Sequence, residues 1–450
     1  MAPKKLILFI IDGLTPALLE HALEHDRLPT LALFAREGRY GRAVSTFPSL
    51  TPVCLSSIAT GAHPDVHEIP HLVWYHRGEG RLVEYGSSFA AMRAAGALRT
   101  IRDSIFNMSE HHLGKRAVTV FEALEDAGLT TAAVNLTCYR GRTPHYPTVP
   151  GLTRAAYGPK RFFYYSLFES DATGAPLAIR NRALGTIDAY AAAVGRWLVT
   201  RDGFDLLVLY LPDFDFASHA LGPEAAHDAL DHADASIGAL VAAAGGPDDF
   251  LERYAVIVCS DHGQIHVGEP VTLERRFADV EHVLVTASNR AGMVYRLPGC
   301  REETRALVER LDDEPGAEAV CFLEDGEAVL RREAEEVRFA PAEQGWQTSG
   351  DPALLDYPNG YERIWAALHN PNAGEILVSP PVGVEFTDLA GRHHAGGGSH
   401  GSLLAGDSEV PVLTVGVDGL PRSITELAPL ALSHFGVEAP AYVGTQARAA

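Results

Sequence analysis

Five short stretches carry side chains that can do chemistry together. They are Asp12 before Gly13, Thr51 before Pro52, Asp215 four residues before His219, the pair Asp261-His262, and His400 in a glycine run. On a helix, residues i and i+4 share a face, so Asp215 and His219 can grip one cation. Asp213 competes with Asp215, but its spacing from His219 fits one helix face less well. Asp261 and His262 offer a hard oxygen and a borderline nitrogen, a mix suited to zinc or manganese. Pro52 suits a first helical position, which makes Thr51 the expected N-cap of a helix running to Thr60 and Gly61. A hydroxyl there sits beside backbone amides able to hold a phosphate. Metal coordination lowers the pKa of such a hydroxyl and makes it a nucleophile.

Taken singly, each stretch has a plainer reading. Asp12 and Thr51 can be caps, Asp215 and His219 a cap and a surface imidazole, Asp261-His262 a turn, and His400 part of a loose loop. Their positions argue otherwise. Leu6–Ile11, Leu206–Leu211 and Ala255–Cys259 are short apolar runs of the kind that form buried parallel strands. Asp12, then Asp213 and Asp215, then Asp261 follow the C-terminal ends of these three runs. In open α/β sheets that edge is where sites form.

The remaining elements are those needed to hold such a sheet. Ala117–Ala127 has amphipathic helical spacing and stops at Gly128; Thr131–Leu136 and Val410–Val415 read as further strands, the last starting properly after Pro411. The order of strands and helices predicts an α/β fold with a largely parallel sheet. Residues 275–375 look like a smaller α+β insertion between a main domain at 1–274 and its return at 376–450. Ser423–Phe435 is expected to be a final packing helix, ended by Gly436.

Five pieces then align with one family: IIDG at 10–13, TPVCLSSIATGAHPDVHEI at 51–69, DFASH at 215–219, SDHG at 260–263 and SHG at 399–401. In order and spacing the chain resembles the type I phosphodiesterase/nucleotide pyrophosphatase branch of the alkaline-phosphatase superfamily. The resemblance covers most of the chain outside 275–375. It implies an alkaline-phosphatase-like sandwich, a central and mostly parallel sheet flanked by helices. It implies two divalent ions, zinc or manganese. Asp215, His219 and His400 would hold one; Asp12, Asp261, His262 and the Thr51 oxygen would hold the other. It implies attack by Thr51 and a phospho-threonine intermediate. Thr46-Phe47-Pro48 offers a second register, but the family nucleophile lies ten residues before the Gly of a Thr-Gly pair, which here selects Thr51.

One departure stands out. Nucleotide-cleaving relatives carry an Asn that contacts a phosphate oxygen near the position of Leu72, with His71 adjacent. His71 is therefore a candidate replacement for that contact. Arg140, Arg142 and His145 form the densest basic spot near the expected site edge and could clamp a second phosphate. Trp74, Tyr75 and Phe162 to Tyr165 are expected in the core or at an interface, with stacking on a base as the alternative, and His393-His394 in solvent.

Bulk properties narrow the partners. The 450 residues carry a formal charge of -21, a poor match for long nucleic acid but compatible with a small anionic phosphoester once metals reverse the local field. The five cysteines are scattered without CxxC spacing, which suits a reducing cytoplasm. The apolar run after Lys4-Lys5 is too short for a signal peptide, and no stretch approaches a membrane span. The expected activity is hydrolysis of a small nucleotide, cyclic dinucleotide or related diester. A phosphomonoesterase or phosphonate hydrolase on the same frame is the alternative. A non-catalytic ligand-binding protein is the alternative from another class.

Overall fold

A computed structural model describes residues 3–149, 153–170, 186–201 and 203–443. Its centre is an eight-stranded sheet. The strand order is Arg39–Val44, Glu409–Val415, Tyr254–Cys259, Lys5–Ile11, Leu206–Leu211, Thr131–Val134, Arg161–Tyr164 and Phe168–Glu169. The five strands from Tyr254–Cys259 to Arg161–Tyr164 are mutually parallel, and the outer strands run antiparallel.

The sequence of the first strand explains the layering. Side chains alternate across a strand, and both sets here are apolar. Ile7, Phe9 and Ile11 enter a core with Leu31, Phe34 and Leu198 on one face. Leu6, Leu8 and Ile10 enter a second core with Ile58, Phe121 and Leu427 on the other. A sheet buried on both faces exposes only its strand ends, so polar chemistry is confined to the edge where Asp12, Asp215 and Asp261 emerge.

Two local expectations shift. The amphipathic stretch becomes helical only at Val120–Asp126, because Thr119 and Glu122 close a capping box there. Pro411 lies inside its strand, opposite Arg42. It is tolerated because the neighbouring strand pairs only from Val412 onward.

A second sheet of seven antiparallel strands runs Val283–Ser288, Ala291–Arg296, Ile376–Ser379, Ala319–Glu324, Glu327–Arg332, Glu335–Pro341 and Trp346–Gly350. Helix Gly360–Leu368 packs on one face through Ile364 and Trp365, and helix Thr304–Glu309 on the other through Leu307 and Val308. The turn between its first two strands carries Asn289 and Arg290, which reach the loop of His400. Among the described residues, no helix is long and apolar enough to cross a membrane.

Candidate functional site

The helix of Thr51 is Thr51–Thr60, and its N-cap is Leu50. Thr51 is thus the first helical residue rather than the cap expected from Pro52. The consequence is chemical: no side chain caps this helix, so the Thr51 hydroxyl is not consumed by a backbone amide. It lies 3.1 Å from His262 Nε2. The expected cradle of free amides is smaller than the sequence suggested. Pro52 has no N–H, and those of Val53 and Cys54 both donate to the Leu50 carbonyl. Thr46 is fully buried beside Cys54 and its carbonyl accepts from Arg363, so it is structural.

Asp12 leaves the first strand beside Gly13, whose φ of +73° suits glycine. A Cβ on Gly13 would come within 3.1 Å of Asp215 Oδ1, so the glycine also lets two acidic segments approach. His262 Nε2 lies 3.2 Å from Asp12 Oδ1 and 3.5 Å from Asp261 Oδ2. Asp215 and His219 meet one helical turn apart at 3.2 Å, as their spacing predicts. His400 Nε2 lies 3.8 Å from Asp215 Oδ1, and its ring stacks on His262 with centroids 3.6 Å apart. The glycines before His400 allow this crowding: a Cβ on Gly397 would overlap the His219 carbonyl.

Ligand atoms of Asp12, Asp261 and His262 lie within 4.8 Å of one another, and so do those of Asp215, His262 and His400. His262 therefore bridges two groups, whereas the resemblance placed it in one. His219 joins the second group through Asp215, and its Nδ1 is held by the Gly398 carbonyl at 2.8 Å. His400 Nδ1 is held likewise by Ser49 O at 2.9 Å. Such bonds fix a ring and aim its other nitrogen, the usual arrangement for a metal-binding imidazole.

The electrostatics point the same way. Burial, then the neighbouring carboxylates Asp261 and Asp215, push the Asp12 pKa well up. Burial also raises Asp261. For Asp215 burial is opposed by His219, His400 and His262, which hold it below the usual carboxylate range. Burial, then His262, depresses His400 and keeps it neutral. Asp12 Oδ1 and Asp261 Oδ2 are buried and accept no hydrogen bond among the described residues. Buried like charges with open oxygens are costly unless a cation joins them. Three carboxylates and three imidazoles fit two divalent ions of the zinc or manganese kind.

Several residues singled out in the sequence are placed elsewhere. Asp213 accepts the Ile187 and Asp188 amides while Asp188 accepts the Asp213 amide, a reciprocal cap that removes Asp213 from the site. His71 is fully buried, with Nε2 on the Ala291 carbonyl and Nδ1 accepting from Val73 N–H. Leu72, not His71, faces the cavity. Arg140 is tied to Glu122 and three carbonyls, and Arg142 to Glu122 and Asp126. Buried His145 is bound to Pro159 O. None of these last three lines the cavity. His393 is exposed as expected, but His394 is only half-exposed: it stacks on His219 at 4.0 Å, pairs with buried Glu385, and lines the cavity.

Four further participants lacked a readable motif. Tyr210 donates to Asp12 Oδ2. Gln264 donates to Asp215 Oδ1 and accepts from Ser218. Asn289 meets His400 Nε2 at 3.1 Å from the second sheet. Tyr85 is a wall residue. Tyr210 had one signal, as the polar residue of an otherwise apolar strand. Gln264 directly follows the Asp-His-Gly turn.

The cavity has a volume of about 310 Å³. It is lined by the polar groups of Asp12, Thr51, Asp215, His219 and His400 and by the larger side chains of Leu72, Tyr85, Met108 and Phe216. Trp74 and Phe162 to Tyr164 are buried in the core, as expected.

A family model described as type I phosphodiesterase / nucleotide pyrophosphatase matches residues 6–403. A search of curated proteins finds no match. Among solved structures, phosphonoacetate hydrolase from Sinorhizobium meliloti 1021, in complex with phosphonoformate, is similar at 18% identity and TM-score 0.63, covering 97% of this chain and 96% of that one. Murine ectonucleotide pyrophosphatase / phosphodiesterase 5 is similar at 14% identity and TM-score 0.62, with 97% and 96% covered. The human protein of that name gives 15%, 0.62, 98% and 99%. At these identities the likeness is one of fold.

Proposed function

We propose, from the premise that the chain belongs to the type I phosphodiesterase/nucleotide pyrophosphatase family, that it is a two-metal phosphodiesterase of small substrates with Thr51 as nucleophile. One observation carries the reading. An uncapped hydroxyl stands 3.1 Å from the imidazole that also faces two unsatisfied carboxylates. Asp12, Asp261, His262 and the Thr51 oxygen would hold one ion, and Asp215, His219 and His400 the other. When bound, such ions neutralise phosphoryl charge and lower the pKa of a coordinated hydroxyl.

The chain's own residues then have defined tasks. Thr51 Oγ1 attacks phosphorus, the ester bond to the leaving group breaks, and water later cleaves the phospho-threonine to restore Thr51. Tyr210 and Gln264 orient Asp12 and Asp215 by hydrogen bonds, so neither carboxylate is free to rotate. Leu72, Tyr85 and Phe216 supply the apolar lining that would receive the leaving group. A cytoplasmic setting suits the five cysteines, all unpaired.

A second reading, phosphonate or monoester hydrolysis at the same site, is favoured by Leu72. Its side chain supplies no polar contact where nucleotide-cleaving relatives have one, and His71 is committed to backbone. The test compares bis-p-nitrophenyl phosphate, p-nitrophenyl phosphate and phosphonoacetate, with added Zn²⁺ or Mn²⁺ and after chelation. Faster, chelator-sensitive turnover of the diester is expected. A strong preference for either other substrate would establish the second reading. Absence of turnover with metal bound would leave a binding protein.

A further inference from the structure

We propose that His76, Glu79 and His112 form a separate divalent-cation site, of the borderline zinc type, adjoining the cavity wall. His76 ends the strand Val73–His76, Glu79 sits in the turn leading to Arg81–Glu84, and His112 ends the wide-turned helix Asp103–His112. One ligand atom from each lies within 4.8 Å of the others. Two imidazoles and one carboxylate are a donor set suited to zinc.

The second observation is an unmet nitrogen. His112 is only 4% exposed, and its Nε2 has no hydrogen-bond partner among the described residues. Its other nitrogen, Nδ1, lies 2.7 Å from the Tyr85 phenol oxygen. With the proton on Nδ1 donated to that oxygen, Nε2 keeps a free lone pair in a ring that adjoins His76. A ligating histidine is oriented in this way by its remote nitrogen. The Trp74 ring packs against both imidazoles, at 5.3 Å from His76 and 5.4 Å from His112, and limits their rotation.

Glu79 is similarly prepared. Arg81 Nε holds its Oε2 at 2.5 Å, leaving Oε1 3.9 Å from His76 Nε2. Arg81 is itself neutralised by buried Asp103 at 2.6 Å, so the surroundings favour a cation. Ligation has a local cost. His76 Nδ1 now accepts from the Glu79 N–H at 3.1 Å, and binding through Nε2 moves the ring proton to Nδ1. The donor atoms must also close to roughly 3.4 Å for tetrahedral zinc. Gly78 and Gly80, the latter at φ +62°, give this turn the freedom to adjust. The other outlying group, His21, Glu24 and His25, is wholly exposed and has no comparable buried nitrogen.

The site has a consequence for the cavity. A bound ion fixes the turn and, through His112, the Tyr85 phenol that lines the cavity. The test is zinc titration of the full, metal-stripped chain by calorimetry, with elemental analysis after gel filtration. His76→Ala and Glu79→Gln alter a half-exposed turn, and unchanged melting of the stripped proteins checks their folding. Each variant should bind one zinc equivalent fewer than wild type, and His76→Ala placed in the Asp215→Asn background should remove a further equivalent from that variant. The difference is read independently of how many ions the catalytic centre holds. Equal stoichiometry in wild type and both variants would overturn the proposal.

Discussion

Two charged clusters lie close to the central sheet, and they differ in what is left over. Around Glu122, the two guanidiniums are fully engaged. Arg140 and Arg142 share the Glu122 carboxylate, Asp126 takes the second fork of Arg142, and three carbonyls absorb the rest of Arg140. Around Asp12, charges are concentrated and left open. Asp12 Oδ1 and Asp261 Oδ2 have no donor among the described residues, and the rings of His262 and His400 stack face to face beside them. A satisfied cluster stabilises a loop; several unsatisfied carboxylates buried beside imidazoles are a place for a cation. Basic residues near the expected site edge looked suitable for phosphate in the sequence. The distinction lies in unmet demand, not in residue type.

The sharpest way to break this comparison is to remove the proposed nucleophile while leaving the demand for metal intact. Thr51→Ala should reduce turnover by roughly 10³-fold or more, with metal content unchanged by elemental analysis. Near-normal activity would return the assignment to another hydroxyl. Next comes the demand itself. Asp215→Asn should weaken binding of one ion by at least about 100-fold, seen as lost occupancy after gel filtration. Full occupancy would mean that the carboxylate is as dispensable as Asp213, which the reciprocal cap with Asp188 already occupies.

The sheet edge was legible because strand ends are marked by composition. LLVLYL and AVIVC are buried throughout, and the polar residues that follow them, Asp213 and Asp215 after the first and Ser260 to His262 after the second, come out at the edge. The i, i+4 pairing of Asp215 with His219 was legible for the same reason, since helical periodicity is local. What stayed hidden depends on contacts across long sequence separations. Asn289 reaches His400 from another sheet, and Arg140 finds its carbonyls more than twenty residues away; no local pattern encodes either. His71 was misjudged because its two partners are backbone groups, which carry no residue code. The Thr51 cap was off by one residue, since Pro52 is accepted at either of the first two helical positions.

Asp188 is satisfied on one oxygen only: Oδ1 accepts the Asp213 amide, while buried Oδ2 has no partner among the described residues. Burial, then Asp213, pushes its pKa up to about 8. The unfolded value is about 3.9. A carboxyl raised on folding contributes stability that is complete below the unfolded pKa and is lost as pH rises toward the folded one. Wild type should therefore lose stability relative to Asp188→Asn between pH 4 and pH 8. At pH 8 the variant should melt ~2–4 °C higher, and below pH 4 the two should coincide. Parallel curves across that range would show that Asp188 is ionised in the fold.

The smallest effect tests the satisfied cluster directly. The Arg142 side chain is 53% exposed, and both of its ion pairs serve Glu122 and Asp126 rather than the cavity. Exposed pairs of this kind contribute about 1 kcal/mol or less, so Arg142→Ala should shift stability slightly. Its kcat/KM should stay within about twofold of wild type for both diester and monoester. A tenfold loss confined to KM, most of all for a substrate with a second phosphate, would show that this guanidinium leaves Asp126 to meet the ligand. The loop would then share in recognition, and complete pairing in the free protein would no longer separate structural charges from functional ones. An unchanged KM keeps phosphate recognition within the cluster that Asp12, Asp215 and Asp261 leave open.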